Sequence, residues 1–425
     1  MKRERASDRG EGGDPGHART ISGGTVFRLF QNASLVAVAV ASVACSDSLL
    51  PPQAPTAHPS PSQAHADLTA SSTAYELVGW GGTVPAPPAG SDYTKVVAGS
   101  DVAIAFHSDG RLAAWGSDFW GQVSGAPTGG GYTDAAVGFA FAVAIRSDGS
   151  LQFWGTGGFG TETPPAGNNF IAVAAGQSHG VALRSDGTLA SWGADISGQV
   201  SGTPTGNGFV AVAADRNWSM ALRSNGSIVA WGADDGHQVS GAPTTGTYTA
   251  IAAGWNHGVA IRTDGSLASW GDDGAGEVSG TPTGTGFTSV AAGLLFSIAV
   301  RANGTLVAWG SNSTVVTNVP TGPGFARVAA GDENGVTLRN PVAPLVATLT
   351  GDLQALQLAS GTANSLNAKL NAVLVALQAG DTAGACISLR SFINEVAAQR
   401  GKKISAADAD NLIAEATAIM TQLGC

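Results

Sequence analysis

Three observations predict a mainly β chain, a seven-bladed β-propeller followed by a C-terminal four-helix bundle. The dipeptide Trp-Gly recurs at Trp80, Trp115, Trp154, Trp192, Trp231, Trp270 and Trp309, at spacings of 35, 39, 38, 39, 39 and 39 residues. No helical period runs between Tyr75 and Asn340, and a clear one begins just after. A helix-free unit of about this length, repeated seven times, has the size of a propeller blade, whereas solenoid repeats carry a helix or are shorter.

The chain divides into 1–45, 46–72, 73–341 and 342–425. In the first segment Lys2, Arg3, Arg5, Arg19 and Arg28 precede an apolar run from Ala33 to Ala41, then Ser42-Val43-Ala44-Cys45. A basic flank, a short apolar core and small residues predict an export signal rather than a spanning helix. Small residues ending on a Cys resemble a bacterial lipoprotein cleavage site, which makes Cys45 the expected lipidation point. Ser42 stands where that pattern prefers Leu, so ordinary cleavage and a misassigned start codon stay open. Residues 46–72 are Pro, Ser and Ala with little to bury, a tether that would hold a folded domain off a membrane surface.

Within the repeat, 60 Gly among 425 residues, mixed with Val, Ala, Trp and Thr, favour many short strands and tight turns. One unit reads VAAGQSHGVALRSDGTLASWG from Val173. A first strand ends at Ala-Ala-Gly, a second such as Val181–Arg184 runs into Asp186-Gly187, and a third runs through Leu189 to Trp192. Asp-Gly or Asn-Gly recurs in register six times, from Asp109-Gly110 to Asn303-Gly304, and predicts type I′ hairpins with positive φ at both central residues. The array opens with half a unit, Glu76–Gly81, and closes with the complementary half, Phe325–Arg339. Pairing the two would complete the seventh blade and remove the open sheet edges.

The net charge of −10, with no basic cluster beyond the first thirty residues, argues against nucleic acid and leaves membrane contact to a lipid anchor.

Gly-x-x-His-x-x-Ala-Leu/Ile-x-x-Asp-Gly followed by Trp-Gly-x-Asp-x-x-Gly-Gln, as at Asp186-Gly187, Trp192-Gly193 and Gly198-Gln199, resembles the repeat of the regulator of chromosome condensation family. The resemblance covers about 265 of the 425 residues and implies a seven-bladed propeller. The compact period and N-terminal half-blade are most similar to secreted propeller-type β-lactamase inhibitory proteins. Those carry an aromatic two places after the Gly that ends the first strand. Here Asp101, Ala140, Ser178, Asn217, Asn256, Leu295 and Glu333 stand there, which argues against that particular target.

After Pro341, apolar residues at helical spacing mark four helices, through Leu349/Leu353/Leu356, Leu366/Leu370/Val373/Leu377, Leu389/Phe392/Ile393/Val396 and Leu412/Ile413/Ala416/Ile419. Gly380-Asp381 separates the second from the third, and Ser405–Asp408 reads as a capping-box variant. Cys386 and Cys425 are expected to form a disulfide worth roughly 3 kcal/mol. The segment resembles a small helical module appended to secreted bacterial proteins.

Aromatic anchors on loops are the usual hot spots of an interface. The expected binding positions are therefore Phe119, Trp120, Phe139, Gln177, Arg216, Trp255 and Leu294, which vary between blades while scaffold positions do not. An extracytoplasmic protein is the expected partner. A glycan or cell-wall polymer is the alternative, because exposed aromatics also stack on sugars. Trp218, His179 and His257 share one repeat position with Phe141 and Phe296 and read as structural. Asp118, Asp195, Asp234, Asp273 and Asn312, each three places after a repeat Trp, read as Asx turns. No loop offers the five or more spaced oxygens calcium needs. No nucleophile elbow, phosphate loop or zinc cluster is present, so neither enzyme activity nor a cofactor or metal is expected.

Overall fold

The computed structural model describes residues 75–82, 85–156, 163–311 and 313–425. The export segment, Cys45, the 46–72 tether and Asn312 lie outside the described residues.

Residues 75–339 form seven three-stranded antiparallel sheets. Six sheets take their strands consecutively, inner to outer. The seventh joins Glu76–Gly81 to Asn334–Arg339 and then Phe325–Ala330, with Glu76 opposite Arg339 and Gly81 opposite Asn334. The chain ends thus share one blade. The inner strands pack each against the next, and Phe325–Ala330 of blade seven packs against Tyr93–Gly99 of blade one, so the ring is closed.

Its core is a set of seams. Val97, Ile104 and Phe106 of blade one meet Tyr132, Ala142 and Trp154 of blade two, and similar buried clusters fill the other joints. The Trp-Gly pair is built into these joints. Each indole lies across its sheet from a small residue, as Trp115 from Ala103 and Trp192 from Gly180, where an added Cβ would lie 2.2 Å from the ring. In blades two, four, five and six its Nε1 also donates to the preceding blade's loop, as Trp154 to Gln122 O at 2.8 Å and Trp231 to Gln199 O at 3.0 Å. The following Gly takes a φ near +100°, with no room for a side chain. At Gly116, φ is +118° and a Cβ would lie 2.1 Å from the Asp101 carbonyl oxygen.

Two local expectations are corrected. The Asp-Gly hairpins are not type I′, because only the Gly has positive φ. Gly110 N donates to His107 O and His107 N to Arg111 O, which is a tight turn followed by a left-handed Gly. The Asp side chain supports it, with Asp109 Oδ1 accepting from Arg111 N at 3.0 Å. The repeat region also contains one turn of helix, α1 (Thr314–Thr317), whose Val315 is fully buried and accepts from Trp80 Nε1 at 2.9 Å. Four residues are too few to leave a period in the sequence.

Four helices follow: α2 (Ala343–Ala355), α3 (Ser360–Gln378), α4 (Thr382–Gln399) and α5 (Ala406–Leu423). Leu349, Leu370, Leu389, Phe392 and Leu412 are among the residues of their common core. Gly380 has φ +71°, and Asp381 caps α4 by accepting from Gly384 N. Ser405 caps α5, but the Asp408 carboxylate accepts a hydrogen bond from the Ser405 hydroxyl at 2.6 Å, being too short for the reach that a Glu makes in a full capping box. Cys386 in α4 is disulfide-bonded to Cys425, with Cα atoms 6.1 Å apart. Gln378 Nε2 donates to Arg301 O at 3.0 Å, which ties the helices to the hairpin end of blade six. Among the described residues no helix is long and apolar enough to cross a membrane.

Candidate functional site

The inner strands end in Ala-Ala-Gly or a close relative because the backbone there has no room. A Cβ on Gly176 would lie 2.3 Å from the His179 ring, and one on Gly331 would lie 2.3 Å from Ser100 O. The residue after each of these positions forms a ring around the channel mouth: Ser100, Phe139, Gln177, Arg216, Trp255, Leu294 and Asp332. Backbone bonds link the ring from blade to blade, Phe139 N to Gln177 O, Gln177 N to Arg216 O, Leu294 N to Asp332 O and Asp332 N to Ser100 O. Five of the seven expected binding residues therefore occupy one ring.

The other two, Phe119 and Trp120, sit on the loop after the outer strand of blade one. This loop folds back toward the mouth: Gln122 Oε1 accepts from Trp120 N, and Gln122 Nε2 donates to Phe139 O, both at 3.0 Å. Phe119 is 80% exposed, Phe139 is 40% exposed, and Trp120 is half-buried. Phe119, Trp120 and Phe139 line a cleft of about 260 Å³ with Ser100 and Asp101. Phe139, Gln177 and Trp255 line the mouth. Trp255 is half-buried rather than a free rim residue, with the Arg216 guanidinium 5.0 Å from its ring centroid. Arg216 also donates to Asn256 Oδ1 at 2.8 Å.

Sequence reasoning missed the acidic side of the mouth. Asp215 stands where the other six blades have Gly, and burial, then repulsion from Asp332, pushes its carboxyl up to about 8. Asp332 accepts from the Ser100 hydroxyl at 3.1 Å and is itself raised, chiefly by burial. Both were findable, Asp215 as the one break in a Gly column and Asp332 as a member of the ring column.

The positions read as structural behave so. Trp218 is fully buried, its indole donating to Gly254 O at 2.9 Å. Burial pulls His179 and His257 down to about 4. The loop aspartates span more than an Asx turn, since Asp118 Oδ1 accepts from Val123 N and Ser124 N at 2.9 Å each, and Asp195, Asp234 and Asp273 repeat the pattern. Backbone N–H donors hold Asp118 and Asp195 below the usual carboxylate range, that of Ser124 and that of Ser201 most strongly. Among the described residues no group of three or more His, Cys, Asp or Glu is placed to hold a metal.

The sequence profile of the regulator of chromosome condensation (RCC1) repeat matches residues 170–199, 248–277 and 287–314. Those three segments lie in blades three, five and six, and the other four blades share their three-stranded sheet. The FIMAH domain profile matches residues 346–421, the four helices that follow the propeller. Among solved structures, Prp20p from Saccharomyces cerevisiae, studied for its binding to Gsp1p and histones, is 17% identical with a TM-score of 0.54, over 63% of this chain and 92% of its own. Yeast RCC1 (Prp20) bound to Kap60 gives 17% and 0.54 over 71% and 96%. Human WBSCR16 gives 16% and 0.52 over 63% and 99%. These likenesses establish the fold. No curated protein matches the chain.

Proposed function

We propose that the protein is a non-enzymatic, exported binding module that engages an extracytoplasmic protein through the mouth face of its propeller. The carrying observation is the separation of faces. The helical domain is tied to the hairpin end of blade six through Gln378, whereas the other end of the blades gathers Phe119, Trp120, Phe139 and Trp255 around one opening. Ile196, at the blade-three position equivalent to Phe119, is also 80% exposed. Aromatic residues concentrated beside a concave, partly polar opening are the composition of an interface centre. The structural neighbour Prp20 of yeast has protein partners, having been studied for its binding to Gsp1p and histones and seen bound to Kap60. The Cys386–Cys425 disulfide and the apolar run before Cys45 support export, with Cys45 as the anchor.

The test is a crosslinking pulldown from the native envelope fraction with the full chain as bait. The expected result is one dominant protein whose capture falls at least tenfold in the Trp120→Ala/Trp255→Ala double variant, while the melting temperature holds. Equal capture by that variant, or retention on cell-wall polysaccharide in place of any protein, overturns the proposal.

A further inference from the structure

We infer that the cleft between blades one and two receives an arginine or lysine side chain from a loop of the protein partner. Its aliphatic stem lies against Trp120 and Phe139, and its cationic head points toward Asp101 and Asp332. The inference rests on the protein-binding reading above and specifies its chemistry. The cleft shares Ser100 and Phe139 with the channel mouth, so the two form one continuous depression, apolar on one side and acidic on the other. The pair of adjacent aromatics is particular to blade one: in the sequence the equivalents of Phe119-Trp120 are Gly158-Phe159 in blade two and Ile196-Ser197, Asp235-Gly236 and Gly274-Ala275 in blades three to five.

The acidic side lacks a counter-charge. Among the described residues no cation pairs with Asp101, Asp332 or Glu333, and Asp332 is held by the Ser100 hydroxyl alone. The mouth's own cation, Arg216, is turned to Trp255, Asn256 and Asp235 across blades four and five. Burial first, and then the charges of Asp101 and Glu333, raise the Asp332 carboxyl, a strain that an incoming cation relieves. A long basic side chain uses both walls at once, since its methylenes cover apolar surface and its charge also favours an aromatic face. A wholly apolar residue would leave the carboxylates desolvated and unpaired.

The test uses a phage-displayed library of disulfide-closed random loops, selected on the full-length protein. Enriched loops are expected to carry Arg or Lys beside an apolar residue. They should lose at least tenfold in affinity on Asp332→Asn, on Trp120→Ala and on conversion of their own basic residue to Gln, and nothing on Asp264→Asn at the far face. Loops that bind the mouth without a basic residue, or bind Asp332→Asn unchanged, overturn this inference and leave the protein-binding reading standing. If no loop is enriched, this inference falls, and the envelope pulldown alone decides the broader reading.

Discussion

His179 in blade three reaches across the seam to Ser219 in blade four, Nε2 to Oγ at 2.7 Å, and His257 repeats the contact with Ser297 at 2.8 Å. Both rings are buried, and burial holds both pKa values near 4, below the 6.5 of an exposed imidazole. The neutral ring is the folded form. Each seam is therefore fully stabilising above pH 6.5, and the contribution is lost as pH falls toward 4, because the unfolded chain takes up the proton first. The loss is about 3 kcal/mol per histidine. His179→Phe/Ser219→Ala, which copies the Phe used in blades two and six, should reduce the acid-induced drop in melting temperature by one histidine's share. An unchanged slope between pH 7 and 4.5 would sink this account.

Much of that seam was legible before any coordinates. Among the seven blades, Ser occupies the place after the buried slot only in blades four and six, each following a blade with His in the slot. The pairing was missed because the partners lie 40 residues apart, a distance that only closure of adjacent blades makes short. The fold, the shared seventh blade and the four helices follow from period and half-units, which are properties of many residues at once. The site depends on single departures from the repeat. Phe119, Trp120 and Trp255 announce themselves as extra aromatics, and Asp215 and Asp332 stand in readable repeat columns, but their raised carboxyls come from burial and then from Asp332 for Asp215 and from Asp101 and Glu333 for Asp332, which no one-dimensional pattern carries. The hairpin type was misread because Asp-Gly serves both as a two-residue turn and as the end of a longer one.

Gly116→Ala should destabilise the propeller by roughly 2–5 kcal/mol, since it combines a positive φ with a Cβ pressed against rigid backbone. Gly129→Ala, where nothing lies within 4 Å and φ is not positive, should be neutral or slightly stabilising. Urea unfolding followed by tryptophan fluorescence distinguishes the two. Equal effects would mean that the Gly of Trp-Gly is not sterically required.

Opening the Cys386–Cys425 disulfide should cost the helical domain about 3–4 kcal/mol by freeing a 39-residue separation. All ten Trp residues lie between Trp80 and Trp309, so fluorescence reports the propeller alone, while far-UV circular dichroism at 222 nm, roughly the usual helix band, reports the helices. Cys386→Ser/Cys425→Ser should lower the helical transition and leave the fluorescence transition in place. A common shift in both would show the two parts unfolding as one unit.

Asp215 should make the propeller less stable as pH rises. Its carboxyl ionises near 3.8 in the unfolded chain and near 8 in the folded one, so from pH 3.8 upward the unfolded state loses the proton that the folded state keeps. Stability falls through that window by at most about 1.4 kcal/mol per pH unit, less for the solvent that reaches the carboxyl through the mouth. Asp215→Asn keeps an acceptor for Arg216 N and removes the ionisation. The difference in melting temperature between variant and wild type should therefore be small near pH 4 and grow steadily to pH 8. This trend is opposite in sign to that of the histidine seams, so the variant-minus-wild-type comparison separates them. A difference that stays constant with pH would place the Asp215 carboxylate in water and remove the acidic repulsion assigned to the mouth.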